Sequence, residues 1–374
     1  MSVNNRNIKL STLNLFSYIV TVIYAWSYGN SYIVYATGSI LLMLFVYYKL
    51  FQYRSCSFRI IRLWLIFILV LSTLIGTIKG NLQSPLMVNC SLLLPVVLSS
   101  IDINYKNLSK QVMICSICCL PVMMIISRQA ESWNSNSLAF MMYCGISIGF
   151  LWFEFSKSKI SRIGSLLYLL YGTTYLFATG SRNASMVIVL CAFILMLPVY
   201  YWKNKFFYRL SYLIPVFATI FAIPIMQFVF SSNQVLGVLT DFTSQYSSKA
   251  WGMDTHLDIL LHARDVFYDN DLITQLFGEG MKTRHRHNIF YQCLFFYGIF
   301  GVFVVYTFYI WIFEKAYYMI KTYNDTLVIG CVVILIGHFL MQVGEVYMLG
   351  SESANIISLI PASIILQRYN KCYK

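Results

Sequence analysis

Charged residues are scarce in this sequence: Asp, Glu, Lys and Arg make up 11% of its 374 residues, whereas ordinary soluble domains carry about 25%. Hydrophobic residues make up 59%. Many apolar runs reach or approach the roughly 20 residues with which a helix crosses a bilayer. The composition excludes an ordinary soluble domain. It predicts an all-α polytopic membrane protein that forms one integral membrane domain over residues 1–374.

The sequence also lacks the motifs of several enzyme classes: it has no Walker loop, no dinucleotide fingerprint, no HExxH motif and no internal repeat. The ten cysteines stand mostly inside apolar runs. Cys115, Cys118 and Cys119 have no histidine nearby, which favours small buried hydrophobes over metal ligands. The polar joints hold no carboxylates at metal-binding spacing. The sequence therefore predicts neither a metal nor a cofactor.

Twelve apolar runs are predicted as membrane spans. They cover residues 11–28, 31–48, 63–79, 84–101, 111–127, 136–155, 163–179, 185–202, 210–230, 288–313, 326–346 and 352–367. Most of the 27 Lys and Arg residues stand in alternate joints, so the positive-inside rule puts those joints and both termini in the cytoplasm. The same rule explains the net charge of +13 without nucleic acid. The first run lacks a small-residue cleavage site and is interpreted as a retained helix rather than a signal peptide.

The joint between spans nine and ten, residues 231–287, is predicted to be a long external loop that contains short helices and forms part of the active site. Its segment 254–268 has helical periodicity. One stripe of that helix holds Leu257, Leu260, Leu261 and either Phe267 or Tyr268. Arg264 falls on the same stripe. It either snorkels out to water or directs its guanidinium into a cleft against the spans.

The remainder of the loop leads to a basic cluster. Residues 269–271 are predicted to end the helix, and Gly278 and Gly280 to supply a flexible approach. The cluster comprises Lys282, Arg284, His285, Arg286 and His287. Basic clusters normally end a span on the cytoplasmic side, but the alternation of joints places this one on the external side.

A further external cation, Arg182, stands in the tight joint 179–184, TGSRNA. There Gly180 permits a turn, and Ser181 and Asn183 offer local hydrogen bonds. Guanidinium groups bind phosphate in bidentate fashion, so several that converge suit a diphosphate. Any single one of them would equally suit an anchor to a lipid headgroup.

Three titratable residues are candidates for acid–base chemistry. His287, which begins span ten, suits a general base, a hydrogen-bond donor or a helix-start residue bonded to backbone. His338 lies inside span eleven, where ionisable groups are functional candidates, although a neutral histidine bonded across helices fits as well. Glu345, near the external end of that span, is the best-placed carboxylate.

The order of these motifs resembles the O-antigen polymerase and O-antigen ligase superfamily. The resemblance covers about residues 170–305 by motif and the whole chain by topology. The matching residues are Thr179 to Ala184, Arg264, Gly278, Gly280, His287, Asn288, Gln292, Gly298, Ile299 and Gly301.

The resemblance implies a multi-pass enzyme of the bacterial inner membrane, similar to C-type glycosyltransferases, with its active site facing the periplasm. Its donor and acceptor would be oligosaccharides linked to undecaprenyl diphosphate. Membrane lipids and a chain-length regulator protein would be further partners, and nucleic acid would not. A polymerase transfers the glycan to another lipid-linked repeat unit, and a ligase transfers it to the lipid A core. The Asn-rich turn 133–136 and the short external loop favour the polymerase; a lipid-linked glycan flippase is the non-enzyme alternative.

The resemblance also implies roles for individual residues: Arg182 and Arg264 would bind the donor diphosphate, and His287 would lie at the reacting centre. Their positions in the sequence make Arg284, Arg286, Ser181 and Asn288 further candidates for binding the diphosphate or the substrate. Glu345 is the next candidate for the base. The arginines would stabilise the charge of the leaving diphosphate in place of a metal.

Overall fold

The computed structural model describes residues 59–79, parts of 88–121, and residues 135–155, 158–179, 181–231, 253–280, 287–344 and 359–372. Its labelled helices are α1 (Arg59–Ile78), α2 (Ser135–Phe155), α3 (Lys159–Ala178), α4 (Arg182–Leu195), α5 (Val199–Lys203), α6 (Lys205–Ile220), α7 (Ala222–Ser231), α8 (Met253–Asp269), α9 (Leu272–Phe277), α10 (Ile289–Tyr323), α11 (Thr326–Met341) and α12 (Ile360–Cys372). Residues 105–114 are also helical. No strand occurs among the residues described, so for them the all-α prediction is confirmed.

Helix α11 is the centre of the bundle. Its sequence, TLVIGCVVILIGHFLM, is apolar on every side, and a helix of that kind is normally buried on every side. All of its residues from Leu327 to Met341 except Leu340 are buried. Helices α2, α4, α6, α10 and α12 surround it. The core is therefore built around α11. Because α11 itself is buried, polar groups that could meet a ligand are expected at its two ends.

Among the described residues one helix, α10, is long and apolar enough to cross a membrane. The bent pair α6 and α7 meets the same criterion if it is counted as one span. Four further apolar segments are shorter: Leu63–Ile78, Met142–Phe155, Asn183–Leu195 and Thr326–Met341. The twelve predicted spans are not confirmed; the two at 11–28 and 31–48 lie outside the described residues, as do large parts of those at 84–101 and 111–127.

Two predicted spans differ in form from the expectation. Instead of one helix over 210–230, α6 ends at Ile220 and α7 leaves it at an angle of 86°. Pro224 is the physical reason, because it lacks an N–H and its ring would clash with the carbonyl of Ile220 four residues earlier. Helix α10 extends to Tyr323 and is interrupted at Gly298, where φ is 70° and ψ is −176°.

One end of the bundle, here called the basic end, carries most of the described cations of α5, α6, α10 and α12. They are Lys203, Lys205, Arg209, Lys315, Lys321, Arg368 and Lys371. Arg209 forms a bidentate pair with Glu314, with Nε–Oε1 and Nη2–Oε2 distances of 2.9 and 3.1 Å. Arg368 pairs with Asp325, which caps the first turn of α11. The cations of this end are thus held largely by acids and tyrosines.

Candidate functional site

The opposite end of α11 is where two of the sequence motifs meet, and we call it the convergent end: residues 181–183, 219, 287–289 and 341–343. The last carbonyls of a helix have no partners within it. Here Asn183 Nδ2 donates to the carbonyl of Met341 at 2.9 Å. The backbone N–H of Ile289 donates to the carbonyl of Gln342 at 3.3 Å. The TGSRNA turn and the His-Asn motif, about a hundred residues apart in the chain, therefore close the same helix end.

Asn288 is the hub of this arrangement and is fully buried. Its Oδ1 accepts hydrogen bonds from the N–H groups of Phe290 and Tyr291, which caps α10. Its Nδ2 donates to the carbonyls of Thr219 and Val343, both at 3.0 Å. These four bonds use every polar position of the side chain. In this structure Asn288 is a helix cap that joins α6, α10 and the residues just after α11; its role in substrate binding stays a prediction.

Ser181 also caps a helix. It is buried, and its hydroxyl accepts from the N–H of Ala184 at 3.5 Å, at the start of α4. Thr179 Oγ1 accepts from the N–H of Ser181 at 3.2 Å, which tightens the turn. This geometry gives Ser181 a structural role, and its role in substrate binding stays a prediction. It fixes Arg182 as the first residue of α4, while the Arg182 side chain lies outside what is described.

His287 is the residue immediately before the Asn288 cap, and its backbone is left-handed, with φ of 52°. This conformation costs a residue other than glycine about 1–2 kcal/mol. Strain of this kind persists only where the surroundings over-determine the backbone, and it concentrates at functional sites. The four bonds of Asn288 supply that constraint. The half-buried His287 is thus held at the convergent end in a fixed backbone conformation.

Arg264 lies on α8, which packs against the first turns of α10. The buried face of α8 comprises Leu260, Ala263 and Phe267, which form a cluster with Tyr291, Leu294 and Phe295 of α10 and with Ala222 and Ile223 of α7. The predicted stripe is thereby confirmed with Phe267, whereas Tyr268 is exposed. The Arg264 guanidinium stands at the edge of this interface. It interacts electrostatically with Tyr291 and pairs with Asp265 at 2.8 Å, with 42% of its side chain exposed.

The two glycines before the basic cluster form a rigid crossing, not the predicted flexible approach. Gly278 and Gly280 have φ of 79° and 65°. The N–H groups of Glu279 and Gly280 donate to the carbonyls of Phe295 and Phe296 at 2.7 and 3.1 Å. Those carbonyls lie just before the interruption at Gly298, where the regular helical pattern of donors fails. The loop segment at Glu279 and Gly280 therefore donates to helix carbonyls near the point where α10 is interrupted.

The crossing also explains why glycines are needed there. A Cβ on Gly278 would lie 2.5 Å from the backbone carbonyl of Phe296, and one on Gly298 would lie 2.2 Å from the carbonyl oxygen of Leu276. Two backbones thus touch directly, with the α1 backbone on the far side, 2.6 Å from where a Cβ of Gly280 would stand. Gly278 and Gly298, which are separate motif positions in the sequence, therefore lie at the same backbone contact.

Helix α9, which leads into the crossing, begins with a cap from Asp271. The Thr274 N–H and hydroxyl both donate to this carboxylate, at 3.0 and 2.7 Å. These bonds lower the pKa of Asp271, although burial slightly opposes the shift. The predicted helix break at 269–271 is confirmed, since α8 ends at Asp269 and α9 begins at Leu272.

The remaining candidates are distributed differently. Arg284, Arg286 and Glu345 lie outside the described residues. His338 is buried in α11, one turn below the convergent end, against the rings of Phe140 and Tyr143, and its Nδ1 has no hydrogen-bond partner in the structure. In the part of the chain that the structure describes, no group of three or more His, Cys, Asp or Glu side chains is arranged to hold a metal ion.

Sequence reasoning missed the roles of Asn183, Thr219 and the carbonyls of 341–343. Only the two asparagines carried a signal, because Asn is a preferred capping residue. Comparison with known proteins adds no relative: no protein-family model matches the chain, and no curated protein matches it.

Proposed function

We propose that this protein is a multi-pass enzyme of the bacterial inner membrane that transfers a glycan from polyprenyl diphosphate to another lipid-linked repeat unit, as an O-antigen polymerase does. The observation that carries the proposal is the convergent end. The hydrogen bonds of Asn183 and Asn288 to the end of α11 bring together the start of the Arg182 helix, the strained His287 and the helix that bears Arg264. Glu345 follows this end by two residues in the chain.

The outer faces of the helices support a membrane location. Soluble monomers rarely expose large contiguous apolar patches. Here one side of α3 exposes Ile160, Ile163, Leu166, Leu167 and Leu170. Helix α6 similarly exposes Phe206, Phe207, Leu210, Ile214 and Phe217. Faces of this kind suit contact with lipid. The proposed spans therefore include helices that are shorter than an ordinary membrane-crossing helix.

In the proposed reaction, the arginines Arg182 and Arg264, together with Arg284 and Arg286, bind the diphosphate of the donor. The anomeric carbon forms a bond to the acceptor hydroxyl, and its bond to the diphosphate oxygen breaks. The leaving diphosphate gains negative charge, and guanidinium groups fixed before the reaction stabilise that charge without reorganising. His287 orients the acceptor hydroxyl by a hydrogen bond or receives its proton. Arg264 must exchange its pairing with Asp265 for the donor phosphate.

The placement of the described charged side chains, none of which is buried, favours an enzyme over a flippase. A flippase for an anionic lipid-linked glycan needs cations in a central cavity. Among the side chains whose burial is described, no Lys, Arg, Asp or Glu is buried. His338 is buried, with the rings of Phe140 and Tyr143 beside it.

A deletion strain of the source bacterium tests the proposal through the banding of its lipopolysaccharide. We expect lipid A core that carries a single repeat unit, and restoration of the long-chain ladder by the wild-type gene. Core without any glycan, with lipid-linked polymer accumulating, would instead identify a ligase. Repeat units that stay accessible only from the cytoplasmic face would identify a flippase and contradict the proposal.

A further inference from the structure

One acidic side chain at the crossing has no partner among the residues that the structure describes. Glu279 is half-buried, and its carboxylate forms no hydrogen bond or ion pair with any of them. Other described acids are paired or capped: Asp265 with Arg264, Asp271 with Thr274, Glu314 with Arg209, Asp325 with Arg368 and Glu154 with Thr326. Asp258 and Asp269 are exposed to solvent. A carboxylate without such a partner keeps its acceptor positions available to a ligand.

The backbone of Glu279 is among the most constrained in the described loop. Glycines with left-handed φ flank it on both sides, and both are buried. Its own N–H is bonded to the carbonyl of Phe295 at 2.7 Å. Since neither neighbour can carry a Cβ without meeting backbone atoms, the segment has little freedom to shift. A carboxylate on such a support is preorganised, as a group that acts on a substrate must be.

The position of Glu279 relates it to Arg264. Arg264 interacts with Tyr291, and the next turn of α8 places Phe267 against Phe295, with ring centroids 5.9 Å apart. Glu279 joins the same helix at the carbonyl of Phe295. Tyr291 and Phe295 are four residues apart, a rise of about 6 Å along the helix axis. The α10 residues that meet Arg264 and the Glu279 backbone are therefore about one helical turn apart, in the first segment of α10.

We propose that Glu279 contacts the acceptor and receives the proton of its reacting hydroxyl. This inference rests on the proposed function. In the step, the hydroxyl oxygen forms its bond to the anomeric carbon as that carbon loses the diphosphate, which leaves with the bonding electron pair. The proton passes from the hydroxyl to the Glu279 carboxylate. His287 then orients the acceptor rather than acting as base, and the site distinguishes a donor half at Arg264 from an acceptor half at Glu279.

Purified protein in detergent micelles, supplied with lipid-linked repeat units, tests this inference through Glu279→Gln and Glu279→Asp. Glutamine keeps the shape of the side chain but cannot accept a proton at neutral pH. General-base catalysis contributes about 10²–10⁴-fold, so we expect Glu279→Gln to lower kcat by that factor. The KM for the donor should stay within about threefold, since Arg264 remains, and Glu279→Asp should recover part of the lost rate. Asp269→Asn, which alters an exposed and unpaired acid, is the control and should leave turnover unchanged.

Each contrary outcome has a distinct meaning. If wild type forms polymer and Glu279→Gln turns over within about threefold of it, Glu279 is not the base and the proposed function stands. If Glu279→Gln loses donor affinity or melting temperature in proportion to its rate, the residue is structural and the inference is wrong. If folded wild-type protein forms no glycosidic product at all, the proposed function fails and the inference fails with it.

Discussion

The two ends of the helix bundle differ in how their polar groups are satisfied. At the basic end, charged side chains satisfy one another: Arg209 binds Glu314, and the Tyr212 hydroxyl donates to the same carboxylate at 2.8 Å. At the convergent end, neutral side-chain amides satisfy the polar groups. Asn183 and Asn288 donate to backbone carbonyls of α6, of α11 and of the segment just after α11. The ion pair at the basic end is partly exposed, so its strength depends little on the positions of its atoms. The asparagine hydrogen bonds at the convergent end are largely buried, so they require a fixed geometry.

This difference between the two ends indicates which end is the better candidate for the functional site. Paired cations at the basic end are explained by helix packing and by membrane topology, so they require no substrate. At the convergent end His287 has a left-handed backbone, and farther along α10 Glu279 has no partner among the described residues. Arg264, on the helix packed beside them, pairs with the adjacent Asp265. The other left-handed residue described that is not glycine, Asn324, ends α10 and is explained by that cap. Strain and a carboxylate without a partner near the convergent end favour that end as the reactive one.

The largest expected effect concerns the arginines, and it sharpens the comparison of the two ends. We expect Arg182→Ala and Arg264→Ala each to lower chain extension at least a hundredfold, because each removes charge-assisted bonds to the diphosphate. Lysine at either position should recover little, since it cannot bind in bidentate fashion. The measurement is polymer length and amount, with membrane insertion monitored in parallel.

Arg162→Ala is the matched control for that experiment. Arg162 is exposed, close to the start of α3, and lies over the Phe153 ring at 5.6 Å. Polymer should be unaffected by its loss. Equal losses in all three alanine variants would mean that cations act at both ends alike, and the proposed site would be wrong.

The next effect concerns the crossing of α9 and α10. Gly298→Ala should destabilise the folded protein by on the order of 3 kcal/mol, since it adds a Cβ against the Leu276 carbonyl at a residue with positive φ. Gly164→Ala is the control, because a Cβ there meets nothing within 4 Å, and alanine favours a helix by about 0.5–1 kcal/mol. Melting curves in detergent measure both. Equal melting temperatures for the two variants would show that the crossing is loose.

Parts of this structure follow from local sequence, and parts do not. The buried face of α8 was predictable because Leu260 and Phe267 recur at helical spacing. The bend at Phe221 was missed because a hydropathy window averages over Pro224. The crossing was missed because a glycine in sequence signals flexibility and close approach equally well. The cap formed by Asn288 was missed because an asparagine beside a histidine suits a cap as well as a substrate ligand, and its partners Thr219 and Val343 are distant in the sequence.

A third prediction compares two asparagine caps, one at each end. Asn288→Ala removes a cap and also removes the amide that donates to the carbonyls of Thr219 and Val343, so we expect a loss of about 2–4 kcal/mol. Asn204 caps α6 at the basic end through Phe206 and Phe207 only. Asn204→Ala should cost about 1 kcal/mol. Detergent melting curves give both values.

Asn288→Asp separates the two functions of that side chain. Aspartate keeps the acceptor that caps α10 but cannot donate to Thr219 and Val343. We expect it to behave like Asn288→Ala and not like wild type. Full stability of Asn288→Asp would show that the bonds between helices contribute little, and the contrast between the ends would then reduce to ordinary capping.

The smallest effect is expected at the ion pair of Arg209 and Glu314. Both side chains are partly exposed, at 45% and 32%, and exposed pairs contribute little because water and salt screen them. Arg209→Ala should therefore lower the melting temperature less than Asn204→Ala does, and the difference should vanish at high salt. The losses in Asn288→Ala should persist at the same salt concentration, since they involve neutral, buried groups. The measurement is a pair of melting series at low and high salt. A salt-resistant loss in Arg209→Ala would mean that the basic end, too, depends on fixed geometry, because the bidentate pair would then be acting as a structural clamp between α6 and α10.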